Sequence, residues 1–134
     1  MDVRFVAGFA PIVEDLGAAR RLYVADLGLP LQGDDYPQTD DLEGIRHFGV
    51  WTLAGAAVAC FGREEWPSDR PQPQGTIEFE LASAEAVAEG AVEMEAAGHT
   101  LLHGAREEPW GQTVARVQSP DGLLIGLSYA PWMH

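Results

Sequence analysis

The 134-residue chain has one cysteine, Cys60, few basic residues and no long apolar run. A lone cysteine excludes an intrachain disulfide and a zinc site built from several cysteines. No apolar stretch approaches the roughly 20 residues needed to cross a bilayer, and no charged-then-apolar leader opens the chain, so we expect a cytoplasmic protein without a membrane partner. With 8 basic and 21 acidic residues, the net charge is −13. This charge disfavours nucleic acid and favours cationic partners.

The last third of the chain has the clearest pattern. Apolar-rich runs at residues 113–117 and 123–129 flank a Ser-Pro-Asp-Gly sequence at residues 119–122. Proline, aspartate and glycine in this order are typical of a turn, so the pattern predicts a β-hairpin. Gly126 lies in the middle of its second strand, where a missing side chain often marks the close approach of another group.

The same order of elements is predicted twice. In residues 1–62, hereafter the first half, we expect a strand over residues 4–13, a helix capped by Asp15 and ended by Gly28, and strands over residues 31–36, 45–53 and 56–61. In residues 75–134, the second half, we expect a strand over residues 76–81, a helix capped by Ser83 and ended by Gly98, a strand over residues 101–106 and the hairpin. Residues 63–74 are rich in proline and polar residues and are predicted to be a linker.

Three stretches of the sequence leave structural and functional interpretations open. Residues 33–44 contain five acidic residues and no basic one, so they form either a solvated turn or an acidic lip that attracts a cation, with Tyr36 as a stacking surface. The small side chains of residues 56–60 favour either a cavity or a tightly packed neighbour. Trp66 in the linker is expected to dock on the protein body or on a ligand.

The doubled pattern resembles the vicinal oxygen chelate superfamily, which includes glyoxalase I, bleomycin resistance proteins and extradiol dioxygenases. The resemblance rests on these sequences: Asp15-Leu16, Arg21-Leu-Tyr23, Leu27-Gly28-Leu29, Pro109-Trp-Gly111 and Ser119-Pro-Asp-Gly122. It implies an α+β fold in which two βαβββ modules with curled, mixed sheets form a cleft. It also implies that two chains pair as a homodimer.

Enzymes of this superfamily hold a divalent metal in the cleft, and the resemblance places the ligand positions at Gly8, Ala59 or Cys60, Thr76, and Gly126. None of these residues is a histidine or a carboxylate, so we predict neither a metal nor another cofactor. An off-pattern site made by His99 and His103 with Glu78 or Glu80 is the alternative. No catalytic residue is predicted, and Cys60 is interpreted as an inert small hydrophobe.

Without a metal, the resemblance favours the bleomycin-resistance branch, in which a protein sequesters a bulky, cationic, aromatic compound such as an antibiotic. The candidate ligand-binding residues are Trp110, Tyr36, Trp51, Phe48, Phe61, Trp66, Glu78, Glu80, Gly8 and Gly126. Phe48, Phe61 and Trp51 lie on predicted strands, and the alternative interpretation is that they belong to the core. The two glutamates either line the cleft or face water, and Arg116 is placed to neutralise one of them. The competing functions are a glyoxalase-like, metal-dependent lyase or isomerase with displaced ligands, and a scaffold whose own aromatics close the cleft.

Overall fold

The computed structural model describes residues 1–134 as eight strands and three helices. The strands are β1 (Phe5–Val13), β2 (Gln38–Thr39), β3 (His47–Gly49), β4 (Trp51–Thr52), β5 (Gly75–Glu80), β6 (Leu101–Glu107), β7 (Thr113–Gln118) and β8 (Leu124–Tyr129). The helices are α1 (Leu16–Arg20, continuing as a π-helix over Arg21–Asp26), α2 (Leu53–Phe61) and α3 (Ala84–Ala96), and a 3₁₀ turn covers Pro131–Met133. None of the helices combines the length and the apolar character needed to cross a membrane.

All the strands belong to one mixed sheet. Its order is β2-β3-β1-β5-β8-β7-β6, with β4 also pairing with β1. The antiparallel β1–β5 pair joins the two halves, while β1–β3 and β5–β8 are parallel pairs within each half. The predicted α+β class is therefore confirmed.

The second half follows the prediction closely. The Ser83 side chain accepts a hydrogen bond from the backbone N–H of Ala86 and caps α3. In the β7–β8 turn, Gly122 has a φ of +100°, a conformation that glycine adopts without steric cost. Long strands on both sides of this turn give the second half a regular backbone.

The first half departs from the prediction at residues 53–61. The predicted strand over residues 56–61 is wrong, because this stretch is the helix α2. Alanine is the best helix former, the Thr52 side chain caps the first turn by accepting from the N–H of Gly55, and Gly62 ends the helix with a φ of +74°. These local signals outweigh the apparent strand pattern.

Other elements of the first half are partly as expected. Helix α1 is confirmed, with the Asp15 side chain accepting from the N–H of Ala18. The expected strand over residues 31–36 shrinks to a single bridge between Gln32 and Gln38. The expected strand over residues 45–53 is present only as the two short strands β3 and β4.

The helices pack on both faces of the sheet. Helix α3 packs its Val87 and Ala91 against Ala115 and Leu127 on one face. On the opposite face, Ala56, Ala57 and Cys60 of α2 belong to a cluster with Ile12, Trp66 and Leu124. Of the two interpretations of these small side chains, close packing against a neighbour is therefore the correct one for α2. Because α2 covers only one end of that face, the rest of it stays open for a cavity.

Candidate functional site

The open part of the sheet face carries a cavity of about 590 Å³. The residues that line it are Gly8, Phe9, Ala10, Tyr36, Gln38, Asp40, His47, Trp51, Thr76, Glu78, Trp110, Gln112, Arg116, Ala130, Trp132 and Met133. Tyr36, Trp110 and Trp132 are 36%, 57% and 53% exposed, so their rings lie at the mouth. This volume falls within the range of about 300–1,000 Å³ that is typical of small-molecule sites.

A single row of paired residues crosses the floor of the cavity. Gly8 on β1 pairs with His47 on β3 and with Glu78 on β5. Glu78 pairs with Gly126 on β8, which in turn pairs with Arg116 on β7. Directly paired residues point to the same face of a sheet, so the two glycines alternate with the side chains of His47, Glu78 and Arg116.

This row corrects two of the ligand positions expected from the sequence. Ala59 and Cys60 lie on α2 rather than on a strand, and the residue that neighbours Gly8 in the first half is His47. On β5 the partner of Gly8 is Glu78, whereas Thr76 pairs with Ala10. Two positions of the row, His47 and Glu78, therefore carry residue types that can bind a metal. Neither residue is among the ligand positions expected from the sequence.

The donor set does not fit a metal ion. Both ring nitrogens of His47 are engaged, since Nε2 bonds Tyr36 and Nδ1 bonds Asp40. Catalytic zinc sites in proteins use three side-chain ligands. No group of three or more His, Cys, Asp or Glu side chains is placed to hold a metal. The alternative site, His99 and His103 with Glu78 or Glu80, does not assemble.

On the first-half side, three side chains form a hydrogen-bonded chain. The Tyr36 hydroxyl lies 2.6 Å from His47 Nε2, and His47 Nδ1 lies 2.6 Å from Asp40 Oδ1. Burial, together with the negative charges of Glu78 and Asp40, raises the pKa of Tyr36 well above its usual value, so its hydroxyl stays protonated. The ring lies against Gly49, where an added Cβ would collide with the Tyr36 hydroxyl oxygen. The absence of a side chain at Gly49 therefore allows Tyr36 to occupy this place.

On the second-half side, a second chain fixes Glu78. Trp110 Nε1 donates to Gln112 Oε1 at 2.9 Å. Gln112 Nε2 then donates to Glu78 Oε2 at 2.6 Å and to Ser128 Oγ at 2.8 Å. Because the indole N–H can only donate, this contact sets the orientation of the Gln112 amide. The position of the Glu78 carboxylate is thereby coupled to the ring at the mouth.

Arg116 contacts side chains other than the two glutamates of β5. Its guanidinium lies 5.2 Å from the centre of the Trp51 ring, and its Nη1 contacts His103 Nε2 at 3.0 Å and Glu108 at 3.5 Å. Burial lowers the pKa of His103 to about 4, so the neutral imidazole accepts from Arg116. Arg116 therefore pairs with Glu108 rather than with Glu78 or Glu80.

Glu80 is fully buried and holds the C-terminal turn instead of a ligand. Its Oε2 accepts from the backbone N–H of Ala130 and lies 2.9 Å from His134 Nε2. The turn that follows Ala130 contributes Trp132 and Met133 to the cavity wall. Arg46 Nη1 donates to the Met133 carbonyl at 3.0 Å and holds the same turn from the other side.

The structure brings together half of the residues selected from the sequence. Trp110, Tyr36, Trp51, Glu78 and Gly8 line the cavity, whereas Phe48, Phe61, Trp66, Glu80 and Gly126 do not. Phe48 packs beside Tyr23 in the α1 cluster. Phe61 and Trp66 pack edge to face, with ring centres 5.0 Å apart, in the α2 cluster. Gly126 is covered by the stem of Glu78, whose Cγ would lie 3.1 Å from an added Cβ.

Sequence reasoning missed several lining residues. His47 carries no local signal, because the sequence pattern alone does not show that β3 lies parallel to β1. Gln112 follows the Pro-Trp-Gly sequence at residues 109–111, and a polar residue at the start of a central strand was a usable signal. Trp132 carried no signal, because its place depends on the tertiary contacts of Glu80 and Arg46.

Comparison with known proteins identifies the family. The sequence model of the Glyoxalase/Bleomycin resistance protein/Dioxygenase superfamily matches residues 7–127, which is most of the chain. The chain belongs to this superfamily. No curated protein sequence matches the chain significantly.

Several solved structures share the fold at low sequence identity. A glyoxalase/bleomycin resistance protein/dioxygenase superfamily member from Vibrio splendidus is 16% identical, with a TM-score of 0.58 over 96% of this chain and 100% of that one. Methylmalonyl-CoA epimerase from Streptomyces coelicolor, in complex with 2-nitronate-propionyl-CoA, is 15% identical, with a TM-score of 0.57 over 97% and 96%. A Legionella pneumophila structure described as NAD-dependent benzaldehyde dehydrogenase is 14% identical, with a TM-score of 0.60 over 91% and 96%. At these identities the likeness is one of fold.

Proposed function

We propose that this protein binds a planar, cationic, aromatic small molecule without a metal ion, in the manner expected of a sequestering protein. The observation that carries the proposal is the cavity itself. It combines aromatic rings at the mouth, at Tyr36, Trp110 and Trp132, with the half-buried carboxylate of Glu78 and the exposed carboxylate of Asp40 in its lining. Aromatic faces and carboxylates both attract cations.

Contacts between a cationic ligand and these aromatic rings are strong enough to contribute substantially to micromolar affinity. A desolvated contact between a cation and a tryptophan or tyrosine face contributes about 1–2 kcal/mol. Micromolar binding requires about 8 kcal/mol, which several such contacts together with burial of most of a drug-sized ligand can supply. The one cation in the wall, Arg116, is already held by His103 and Glu108 and is almost fully buried.

The competing proposal, a metal-dependent lyase or isomerase with displaced ligands, has less support. Only His47 and Glu78 of the cavity row are suitable donors, and both ring nitrogens of His47 are already engaged by Tyr36 and Asp40. A cleft closed by the protein's own aromatics also has less support, because the cavity retains about 590 Å³.

Titration with planar cationic dyes, followed by tryptophan fluorescence, tests the proposal. We expect saturable binding that is unchanged by a metal chelator, and we expect Trp110→Ala to weaken it by about tenfold, which corresponds to about 1.4 kcal/mol. Trp66→Phe is the matched control, because Trp66 lies in the core and not in the cavity. Unchanged affinity in Trp110→Ala would remove this ring from the site, and the absence of any binding would refute the proposal.

We further propose that the bound compound is held rather than converted, and that two chains associate as a homodimer. Mass spectrometry of the compound after prolonged incubation checks the first point, and a chemically changed product would contradict it. Sedimentation velocity checks the second point, with a species of twice the chain mass as the expected result.

A further inference from the structure

The floor of the cavity has a gap between two polar side chains. Gly8 lies on β1 between His47 and Glu78, which pair with it from the neighbouring strands. Adjacent strands are about 4.8 Å apart, so the Cα atoms of His47 and Glu78 are separated by roughly 10 Å. A ligand group seated over Gly8 is therefore within reach of side chains from both sides.

Glu78 presents a hydrogen-bond acceptor to this gap. Gln112 donates to Oε2 of its carboxylate, and no hydrogen bond of the protein uses the other oxygen, Oε1. The Gln112 amide cannot turn over to change this arrangement, because Trp110 donates to its oxygen. One carboxylate oxygen is thus held in place with its lone pairs available to a ligand.

Tyr36 presents a second acceptor from the opposite side. The Asp40 carboxylate can only accept, so His47 donates to it through Nδ1–H. In the neutral imidazole, Nε2 is then an acceptor, and the Tyr36 hydroxyl donates a hydrogen bond to it. With that proton committed to His47, the Tyr36 oxygen offers only lone pairs to the cavity.

We propose that Glu78 and Tyr36 together select ligands whose cationic head carries N–H groups, such as an amidinium, a guanidinium or a protonated amine, over ligands with a fixed quaternary charge. The inference rests on the proposed binding of cationic aromatics and names the chemistry of their head group. An N–H-bearing head bonds to both acceptors at once. A quaternary head bonds to neither and leaves Oε1 of the Glu78 carboxylate desolvated without a donor, which is costly.

A matched pair of probes tests this selectivity. The first is 2-naphthamidine and the second is trimethyl(2-naphthyl)ammonium, which have the same ring system and the same single positive charge. We expect the amidine to bind about tenfold more tightly to the unmodified protein, since a charge-assisted hydrogen bond contributes about that factor. Calorimetric titration of both probes gives the ratio directly.

Two variants assign the selectivity to its residues. Glu78→Gln keeps a carbonyl oxygen for Gln112 but removes the charge, so it should abolish most of the tenfold preference. Tyr36→Phe keeps the ring but removes the oxygen, so it should lower amidine affinity by about threefold, a smaller effect than at Glu78 because the Tyr36 oxygen is an uncharged acceptor. The controls are Glu43→Gln, an exposed charge outside the cavity lining, and Tyr23→Phe on α1, and neither should change the preference.

The outcomes separate this inference from the function on which it rests. Equal binding of the two probes, or a preference that survives Glu78→Gln, would refute the selection of N–H-bearing heads by Glu78 and Tyr36. The proposed binding of cationic aromatic compounds would still stand. Failure of both probes to bind would overturn the proposed function and this inference together. Circular dichroism of each variant confirms that a lost preference does not come from unfolding.

Discussion

The two halves of the sheet build the same cavity in different ways. In the second half, β5, β7 and β8 are six residues long and pair continuously. In the first half, β2, β3 and β4 have only two or three residues each, and the helix α2 stands where a further strand was expected. The regular half supplies Glu78 and Gln112 from strands or their ends. The irregular half supplies Tyr36 and Asp40 from connecting segments.

This difference shows how one wall can be fixed while the other is adjustable. Side chains on long, paired strands have little freedom, since their backbone is held on both sides. Residues 31–46 connect short elements and tolerate substitution and length change more readily. Changes of ligand within such a fold are therefore expected to arise mainly from the first-half wall, with the second-half wall retained.

The largest expected effect concerns the layer that supports the irregular half. Trp66 is 8% exposed, packs against Phe61 and donates through Nε1 to the Pro71 carbonyl at 2.9 Å. Trp66→Ala should lower the free energy of unfolding by about 3–5 kcal/mol, because it leaves a large cavity beside α2. Chemical denaturation measures this loss. Trp110→Ala, at a mostly exposed site, should change stability by less than about 1 kcal/mol, and equal losses would contradict this assignment of the two rings.

The next effect compares the two glycines of the cavity row. A Cβ at Gly8 would lie 2.9 Å from the backbone oxygen of His47, so β1 and β3 must move apart. A Cβ at Gly126 would meet only side chains, the nearest being Glu78 Cγ at 3.1 Å. Gly8→Ala should therefore cost about 1–3 kcal/mol of unfolding free energy, and Gly126→Ala clearly less. A larger loss for Gly126→Ala would show that the second-half strands are the tighter pair.

The smallest effect tests the helix that replaces the expected strand. Thr52→Ala removes the side-chain cap of α2 and should lower the free energy of unfolding by about 1 kcal/mol, as Ser83→Ala should at α3. Thr100→Ala, exposed and outside the helices, is the control and should have almost no effect. If Thr52→Ala matched this control rather than Ser83→Ala, the cap at α2 would not contribute to stability.

The fold was largely predictable because its signals are local. Asp15, Ser83 and Gly122 are caps or turn residues whose roles depend on neighbours in sequence, and each occupies its predicted place. The exception is α2, because residues 56–61 are predicted as a strand and belong to a helix. The helix propensity of its alanines, with Thr52 before them and Gly62 after, was the better guide.

The site was less predictable because it depends on register between distant strands. That Gly8 has His47 on one side and Glu78 on the other follows from pairings across 39 and 70 residues of sequence, which no local pattern encodes. Trp66 and Trp110 are similar in sequence context, since each adjoins a proline, yet one is a core residue and the other lies at the mouth. The difference is tertiary: Trp66 packs in the same cluster as the α2 residues, whereas Trp110 lines the cavity.

The close approach of β1 and β3 at Gly8 also restricts how this protein can diversify. A bulky residue introduced at position 8 must push the backbones of β1 and β3 apart. A single substitution there therefore lowers stability before its side chain can contribute to ligand binding. At position 126 the neighbours are movable, and the same change meets little resistance. Adaptation of the cavity should thus keep position 8 as glycine and change the more accessible first-half positions around it, in an order dictated by steric access and not by the chemistry gained.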